Sequence, residues 1–282
     1  MVNEQNPLSE FFRGTPIFVK LPSCGFYSKE GTIKTSVSGD IEVYPMTTAD
    51  ELLFKSPDAL INGESIAKVI QSCAPSIIDV FDVPMNDIEV LLLAIRKVTY
   101  GDQIDFSSMC PECKTPMDFG LSLDLLLSDI DVLEPNEHVN LDNGLMIKIK
   151  PYTYKSSVKA AILTFNEGRF LQMLIEEDLT DEEKAEKATT SYKKAIELTI
   201  ELLSSSIVSV SKDDELITDD PKFLREWLEK SSRNDTKKIE EKIKQMNTTG
   251  IKKEKELECN NCNNVWKSTI EFDPSHFFDP SS

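Results

Sequence analysis

The sequence predicts an α+β fold of two quasi-repeated halves, each made of short strands and helices, with four cysteines joining the halves. Short apolar strands alternate with amphipathic helices along the chain. A strand–Pro–x–Thr–x–helix pattern occurs twice, and each copy is followed later by a Cys-x-x-Cys pair and a strand. With 282 residues, 40% hydrophobic and 28% charged, the chain is long enough and apolar enough to bury a core.

In the first half, short apolar segments bounded by Pro and Gly predict strands, and apolar residues at helical spacing predict helices. Strands are expected at Pro16 to Leu21, Gly31 to Ser36 and Ile41 to Tyr44, and helices at Ala49 to Phe54, Glu64 to Cys73 and Asp87 to Val98. We expect Thr47 or Thr48 to cap the first helix. Asn86 or Asp87 should cap the third, and Gly101 should end it. This third helix is apolar on more than one face, which predicts a place deep in the core.

The second half begins with a turn at Asp142-Asn143-Gly144 and repeats the pattern of residues 41–48. A strand at Leu145 to Lys150 leads through Pro151 to a helix from about Ser156. Further helices are expected at Asp181 to Ser204, Pro221 to Lys230 and Asn234 to Met246. The second copy is longer, because 65 residues lead from Pro45 to Cys110 but 108 lead from Pro151 to Cys259. The acidic helical stretch Glu176 to Lys194 accounts for the difference.

These observations predict three segments. Residues 1–40 form an N-terminal strand arm, residues 41–140 the first α+β half with its cysteine knuckle, and residues 141–282 the second half with a helical insertion and the C-terminal knuckle. The alternative to an internal duplication is that two strand-to-helix turns share the same turn chemistry.

Cys110, Cys113, Cys259 and Cys262 form two knuckles of the zinc-ribbon type, because a two-residue spacing lets both thiolates of a pair point at one metal ion. Asn263 suits the left-handed conformation usual after the second cysteine, and Lys114 suits it less well. The pairs are 145 residues apart. Closing such a loop costs about 4 kcal/mol plus a constant, whereas structural zinc supplies roughly 10–16 kcal/mol in small peptides. We therefore predict one structural Zn²⁺ in a split four-cysteine zinc ribbon. Metal-free turns, redox pairs and separate sites are the alternatives.

Composition excludes several function classes. The formal net charge of −18 disfavours nucleic acid as the main partner, and no apolar run is long enough to span a bilayer. The polar N-terminal residues 1–14 predict no signal peptide, so we expect synthesis in a reducing cytoplasm. A closed four-sulfur site leaves no position for a catalytic water. We find no catalytic pair or phosphate loop, and predict no enzymatic activity and no small-molecule substrate.

The remaining candidate residues are assigned to packing or solvent. Cys24 and Cys73 are expected to be core or turn thiols. The alternative for Cys24, which stands in a Ser-Cys-Gly sequence, is a role as a nucleophile. His276 is expected to contact solvent or pack against the protein. Its alternative role is that of a metal ligand, but four cysteines already saturate zinc.

Several motifs together resemble a viral family. They are Pro16 to Tyr27, Tyr44 to Leu53 with its Pro-Met-Thr-Thr-Ala-Asp-Glu core, Ala94 to Cys113, and Cys259 to Phe278 with its Ile-Glu-Phe-Asp-Pro-Ser-His-Phe-Phe ending. This set is similar to the T4-like baseplate hub, or central spike complex, proteins of contractile-tailed bacteriophages. The resemblance implies a structural subunit or hub-assembly factor in the virion tail baseplate, without enzymatic activity.

The resemblance implies other baseplate hub and tail proteins as partners. Docking is expected on Phe11-Phe12, on Phe277-Phe278 and on the polar helix Asn234 to Met246. The competing hypothesis is a zinc-ribbon nucleic-acid-binding or transcription-associated protein, against which the acidic charge counts.

Overall fold

A computed structural model describes residue 8 and residues 13–34, 39–53, 63–176 and 180–270. The predicted docking residues Phe11, Phe12, Phe277 and Phe278, and also His276, lie outside this part of the chain. The strands are β1 Ile17–Val19, β2 Ile41–Val43, β3 Gln103–Met109, β4 Pro116–Ser122, β5 His138–Asn140, β6 Leu145–Ile149, β7 Ile207–Lys212, β8 Glu215–Thr218, β9 Glu254–Glu258 and β10 Val265–Thr269. The α-helices are α1 Thr48–Leu53, α2 Glu64–Cys73, α3 Met85–Tyr100, α4 Leu123–Ser128, α5 Tyr154–Glu176, α6 Asp181–Ser206, α7 Pro221–Lys230 and α8 Arg233–Thr248.

The predicted α+β class is confirmed: helices are mixed with short strands, and every strand pairing between these elements is antiparallel. The strands form three two-stranded sheets, β1–β2, β3–β4 and β9–β10, and one four-stranded sheet of order β5-β6-β7-β8. Because β1 pairs with β2, the predicted N-terminal arm is joined by a sheet to the first half. The limits of the three predicted segments remain a prediction.

The described residues form two hydrophobic cores, one mainly in each predicted half, although Tyr154, Ile251 and Ile270 of the second half are part of the first core. The first surrounds α3, whose Val90, Leu91 and Ala94 are fully buried, and it also takes in β1, β2 and α2. The second lies between the four-stranded sheet and the helices α7 and α8, with Ile147 and Ile239 at its centre. The apolar stripe of α8, which includes Ile243 and Met246, is therefore buried within the chain, and only the polar face of this predicted docking helix is exposed.

The two predicted halves share a backbone contact that the sequence pattern did not predict. In the first half, the Tyr44 amide just after β2 donates to the Cys73 carbonyl at the end of α2, with N···O 2.8 Å. In the second half, the Lys150 amide just after β6 donates to the Ser206 carbonyl at the end of α6, also at 2.8 Å. Each strand thus meets the end of the helical region that follows it.

The predicted cap of α3 was wrong. The helix begins at Met85 after Pro84, and the side chains of Asn86 and Asp87 contact distant segments instead. Asn86 Nδ2 donates to the carbonyls of Met246 and Thr249, while Asp87 accepts from the amide and hydroxyl of Ser23. Both side chains are buried, so tertiary partners outweigh the local capping preference.

The other predicted helices are found, two of them with the predicted limits: α2 Glu64–Cys73 and α7 Pro221–Lys230. Gly101 ends α3 at φ 101°. Of the predicted strand at 31–36, Ile33 forms only an isolated bridge with Ile77, and residues 35–38 are outside the described part. Within the described residues, no helix has the length and apolar character needed to cross a membrane.

Candidate metal centre

The two knuckles have the same backbone structure. In the first, the Cys110 amide donates to the Thr115 carbonyl (3.0 Å), and the Lys114 amide donates to the Cys110 carbonyl (3.0 Å). In the second, the Cys259 amide donates to the Asn264 carbonyl (2.9 Å), and the Asn263 amide donates to the Cys259 carbonyl (2.8 Å). Each knuckle therefore reverses the chain between the strands of a hairpin, β3–β4 or β9–β10, and turns both of its thiols to one side.

The residue after the second cysteine is left-handed in both knuckles, as predicted for Asn263 (φ 55°). Lys114 has φ 57° despite its long side chain. Its Nζ donates to the Pro111 carbonyl at 2.8 Å, a contact within the knuckle that offsets part of the backbone strain.

The four thiols form one cluster. Their Sγ atoms lie within 4.8 Å of one another, and the two closest contacts cross from one knuckle to the other: Cys110 to Cys262 at 3.7 Å and Cys113 to Cys259 at 3.5 Å. A disulfide requires about 2.05 Å, so all four are free thiols. Four sulfurs at about 2.3 Å around a tetrahedral Zn²⁺ are about 3.8 Å apart, which is the spacing of the two close contacts.

Hydrogen-bond donors favour thiolates on the first knuckle. The Thr115 hydroxyl and amide, together with Asn261, lower the pKa of Cys113 to about 5. Burial works against ionisation of Cys110, but the amides of Cys113 and Glu112 outweigh it and lower the pKa of that thiol.

Cys262 shows the opposite shift. The Asn264 amide lowers its pKa, but partial desolvation and the three neighbouring sulfurs outweigh this and raise the pKa to about 12. Four negative charges cannot lie this close without a counter-charge, and a divalent cation at their centre would supply it.

Side chains of the second knuckle also contact the first knuckle around the sulfurs. Asn261 Nδ2 donates to Thr115 Oγ1 at 3.3 Å, and Asn264 Nδ2 lies 4.0 Å from Cys110 Sγ. Cys110 and Cys259 are buried, Cys113 is half-buried and Cys262 is exposed. Thr115, Asn261 and Asn264 were not among the residues predicted for this site; the signal that could have identified them is a polar side chain inside or shortly after a knuckle.

Aromatic packing joins the two hairpins below the thiols. Phe119 on β4 stacks on Phe106 of β3 at a centroid distance of 5.6 Å, and meets Trp266 of β10 edge-on at 6.1 Å. The hairpins have five to seven residues per strand and are too short to be stable alone, so they depend on this contact, on the thiol cluster and, through Ile104 and Leu121, on the first core.

The other candidate residues lie away from this cluster. Cys24 is half-buried in a turn at φ 50°, and Cys73 is fully buried at the end of α2, where burial raises the pKa of its thiol to about 12. His138 is exposed on β5. Cys73 thus has the character of a packed core thiol, as expected.

The family model described as T4 bacteriophage base plate protein matches residues 29–279. The chain belongs to this baseplate family. The match contains both knuckles, most of both cores and the helices between them, so family membership applies to nearly the whole chain. Neither a curated protein nor a solved structure matches the chain significantly. The resemblance found in the sequence motifs is confirmed at the level of the baseplate family.

Proposed function

We propose that this chain is a non-enzymatic structural or assembly component of the baseplate hub in a contractile phage tail, and that one Zn²⁺ bound by Cys110, Cys113, Cys259 and Cys262 stabilises it. The observation that carries the proposal is the family match over residues 29–279. Baseplate proteins act by binding other tail proteins, so a rigid folded unit with large exposed surfaces suits the role.

The thiol geometry supports zinc in a structural role. Four sulfurs complete a tetrahedral shell, and two of the four cysteines are buried, which leaves no open position for a substrate or a catalytic water. The folded halves already hold the knuckles together through the contacts of Asn86 with Met246 and Thr249, so the entropy of closing the 145-residue loop is largely lost before the metal binds. Most of the binding free energy then stabilises the ribbon.

Apolar side chains flanking the knuckles offer surface for partners. Met109, just before the first knuckle, is 60% exposed, and Val265, just after the second, is 53% exposed. Exposed apolar residues on a rigid support are typical of protein–protein contacts. The net charge of −18 favours tail proteins with basic surfaces as neighbours.

Two measurements test the proposal. Elemental analysis of protein purified without chelator should give one zinc per chain; a content near zero would contradict the metal assignment, and two per chain would indicate separate sites. Mass spectrometry and reconstruction of purified particles should place the chain in the baseplate hub. Its absence from mature particles, together with tails that fail to assemble without it, would assign it to assembly instead.

The nucleic-acid alternative is weaker because the ribbon itself is acidic. Strand β9 carries Glu254, Glu256 and Glu258 against a single lysine, and the first hairpin carries Asp105 and Asp118. Such a surface repels phosphates. Filter binding at low salt should detect no DNA or RNA binding, whereas salt-sensitive binding at submicromolar concentration would reverse the order of the two hypotheses.

A further inference from the structure

The helices α5 and α6 form a long hairpin with almost no core of its own. None of the described side chains between Lys155 and Leu202 is buried. Helix α5 has 23 residues and α6 has 26, which correspond to lengths of about 34 and 39 Å. Helices in water are stabilised mainly by packing an apolar face, and here that face has little cover from the described part of the chain.

A groove runs along the seam between the two helices. It has a volume of about 280 Å³, and its floor is apolar, made by Ile162 and Leu163 of α5 and Leu198 of α6. The lining residues recur at helical spacing on both helices, so the groove follows the helix axes for about two turns. Its shape and its floor fit further helices packed alongside, as in a four-helix bundle.

The charges around the groove alternate in sign. Nearer the folded body, Lys159 of α5 pairs with Glu201 of α6; farther out, Glu167 of α5 pairs with Lys194 of α6 at 3.8 Å. Going outward, α5 carries Lys159 and then Glu167, while α6 carries Glu201, Glu197 and then Lys194, so the signs at the two ends are in opposite order on the two helices. A second hairpin laid antiparallel on the first places Lys159 against Glu167 and Glu201 against Lys194 of the other copy.

Long-range repulsion favours the antiparallel arrangement over a parallel one. Each chain carries a net charge of −18, and antiparallel hairpins keep the two folded bodies at opposite ends of the bundle. A two-fold axis of this kind is also the commonest symmetry of soluble homo-oligomers.

We propose that the α5–α6 hairpin is a self-association site, at which a second copy of this chain packs antiparallel into the groove to form a four-helix bundle. The role goes beyond a baseplate contact in general, because it assigns one surface to one partner. It does not depend on the zinc site.

Sedimentation of the full-length chain tests the proposal. The wild type should show a reversible monomer–dimer equilibrium, and Leu198→Asp should raise the dimer Kd at least about tenfold by placing a charge in the groove floor. The matched control is Ile196→Asp, since Ile196 is on the same helix, is 44% exposed and does not line the groove. A monomer at all concentrations up to about 100 µM would overturn the proposal, even if the groove binds a helix of another tail protein. So would a dimer that both variants weaken equally.

A charge exchange tests the antiparallel geometry without disturbing the apolar floor. Lys159→Glu with Glu201→Lys keeps the ion pair within each hairpin but should weaken the dimer, and adding Glu167→Lys with Lys194→Glu should restore it, because every pair is then reversed across the two-fold axis. The control adds Glu167→Lys with Lys193→Glu, one residue away on α6, and should not restore the dimer. Failure of the fourfold variant to restore the dimer would overturn the arrangement. Circular dichroism on each variant checks that the hairpin stays helical.

Discussion

Each of the two predicted halves begins with a strand-to-helix turn and carries a knuckle farther along, yet the helices of the two halves differ in burial. In the first half, α3 lies in the core and ten of its sixteen residues are buried. In the second half, the hairpin of α5 and α6 projects from the fold with its side chains largely exposed, and the core is formed instead by the sheet with α7 and α8. The comparison shows that the equivalence of the halves lies in their ends, while the segments between have different roles.

The largest effect is expected at the knuckles, where the halves are most alike. Cys110→Ser and Cys259→Ser should each abolish zinc binding, because both remove a ligand from the same four-sulfur site, whose metal is worth roughly 10 kcal/mol or more in small peptides. Elemental analysis should show the loss, and limited proteolysis should show faster cleavage between residues 114 and 145. Cys24→Ser, outside the cluster, is the control and should keep its zinc. If either knuckle variant keeps zinc and its protease resistance, the halves are not equivalent at this point.

The core of the first half gives the next effect. Leu93 on α3 is 1% exposed, so Leu93→Ala should lower the free energy of unfolding by about 2–5 kcal/mol through lost burial and the cavity left behind. Denaturant unfolding measures the change. Zinc content should not change, because the four thiols lie outside this core; simultaneous loss of zinc would show that the ribbon depends on the core, to which Ile104 of β3 and Leu121 of β4 contribute.

The buried Asp87 at the start of α3 should make stability depend on pH. Burial raises its pKa to about 7, although the hydrogen bonds from Ser23 oppose the shift. The folded state therefore binds a proton that the unfolded state has released, and the free energy of unfolding should fall as pH rises from about 4 to 7, by a few kcal/mol at most. Asp87→Asn, which keeps the shape without the charge, should remove this part of the slope. Urea unfolding of the wild type and Asp87→Asn at several pH values measures this contribution. If the free energy of unfolding has the same pH dependence in both, Asp87 is not its source.

The smallest effect is expected in the helical hairpin. Ile196 on α6 is 44% exposed, so Ile196→Ala should change the free energy of unfolding by less than about 1 kcal/mol, against 2–5 for Leu93→Ala. Denaturant unfolding of the two variants side by side compares similar truncations in the two kinds of helix. A loss at Ile196 as large as that at Leu93 would mean that α6 is covered on this face.

Features with local causes could be predicted from the sequence. The knuckles follow from a two-residue spacing, and the helix end at Gly101 follows from the freedom of glycine at positive φ. The limits of α2 and α7 follow from apolar spacing alone. The cysteine cluster was also predictable, because metal chemistry favours joining two knuckles however far apart they lie in the chain.

Features with distant causes could not be predicted. The Asp87 side chain accepts a hydrogen bond from Ser23, 64 residues away, and the Asn86 side chain donates to carbonyls 160 and 163 residues away. Local capping rules therefore gave the wrong start for α3. Strands β7 and β8 were also not predicted, because their turn at Asp213-Asp214 has positive φ at both residues without the glycine that usually marks such a hairpin.

The separation of the knuckles has a consequence for the order of events during synthesis. At about 5–20 residues per second, the ribosome completes Cys259 roughly 7–30 s after Cys113. The first pair of thiols must therefore wait, as an incomplete ligand set, until the second pair has been made. A product that stops before Cys259 keeps the first knuckle but not the second and cannot close the ribbon. The proposed metal site would thus distinguish chains that contain both knuckles from those that contain only the first.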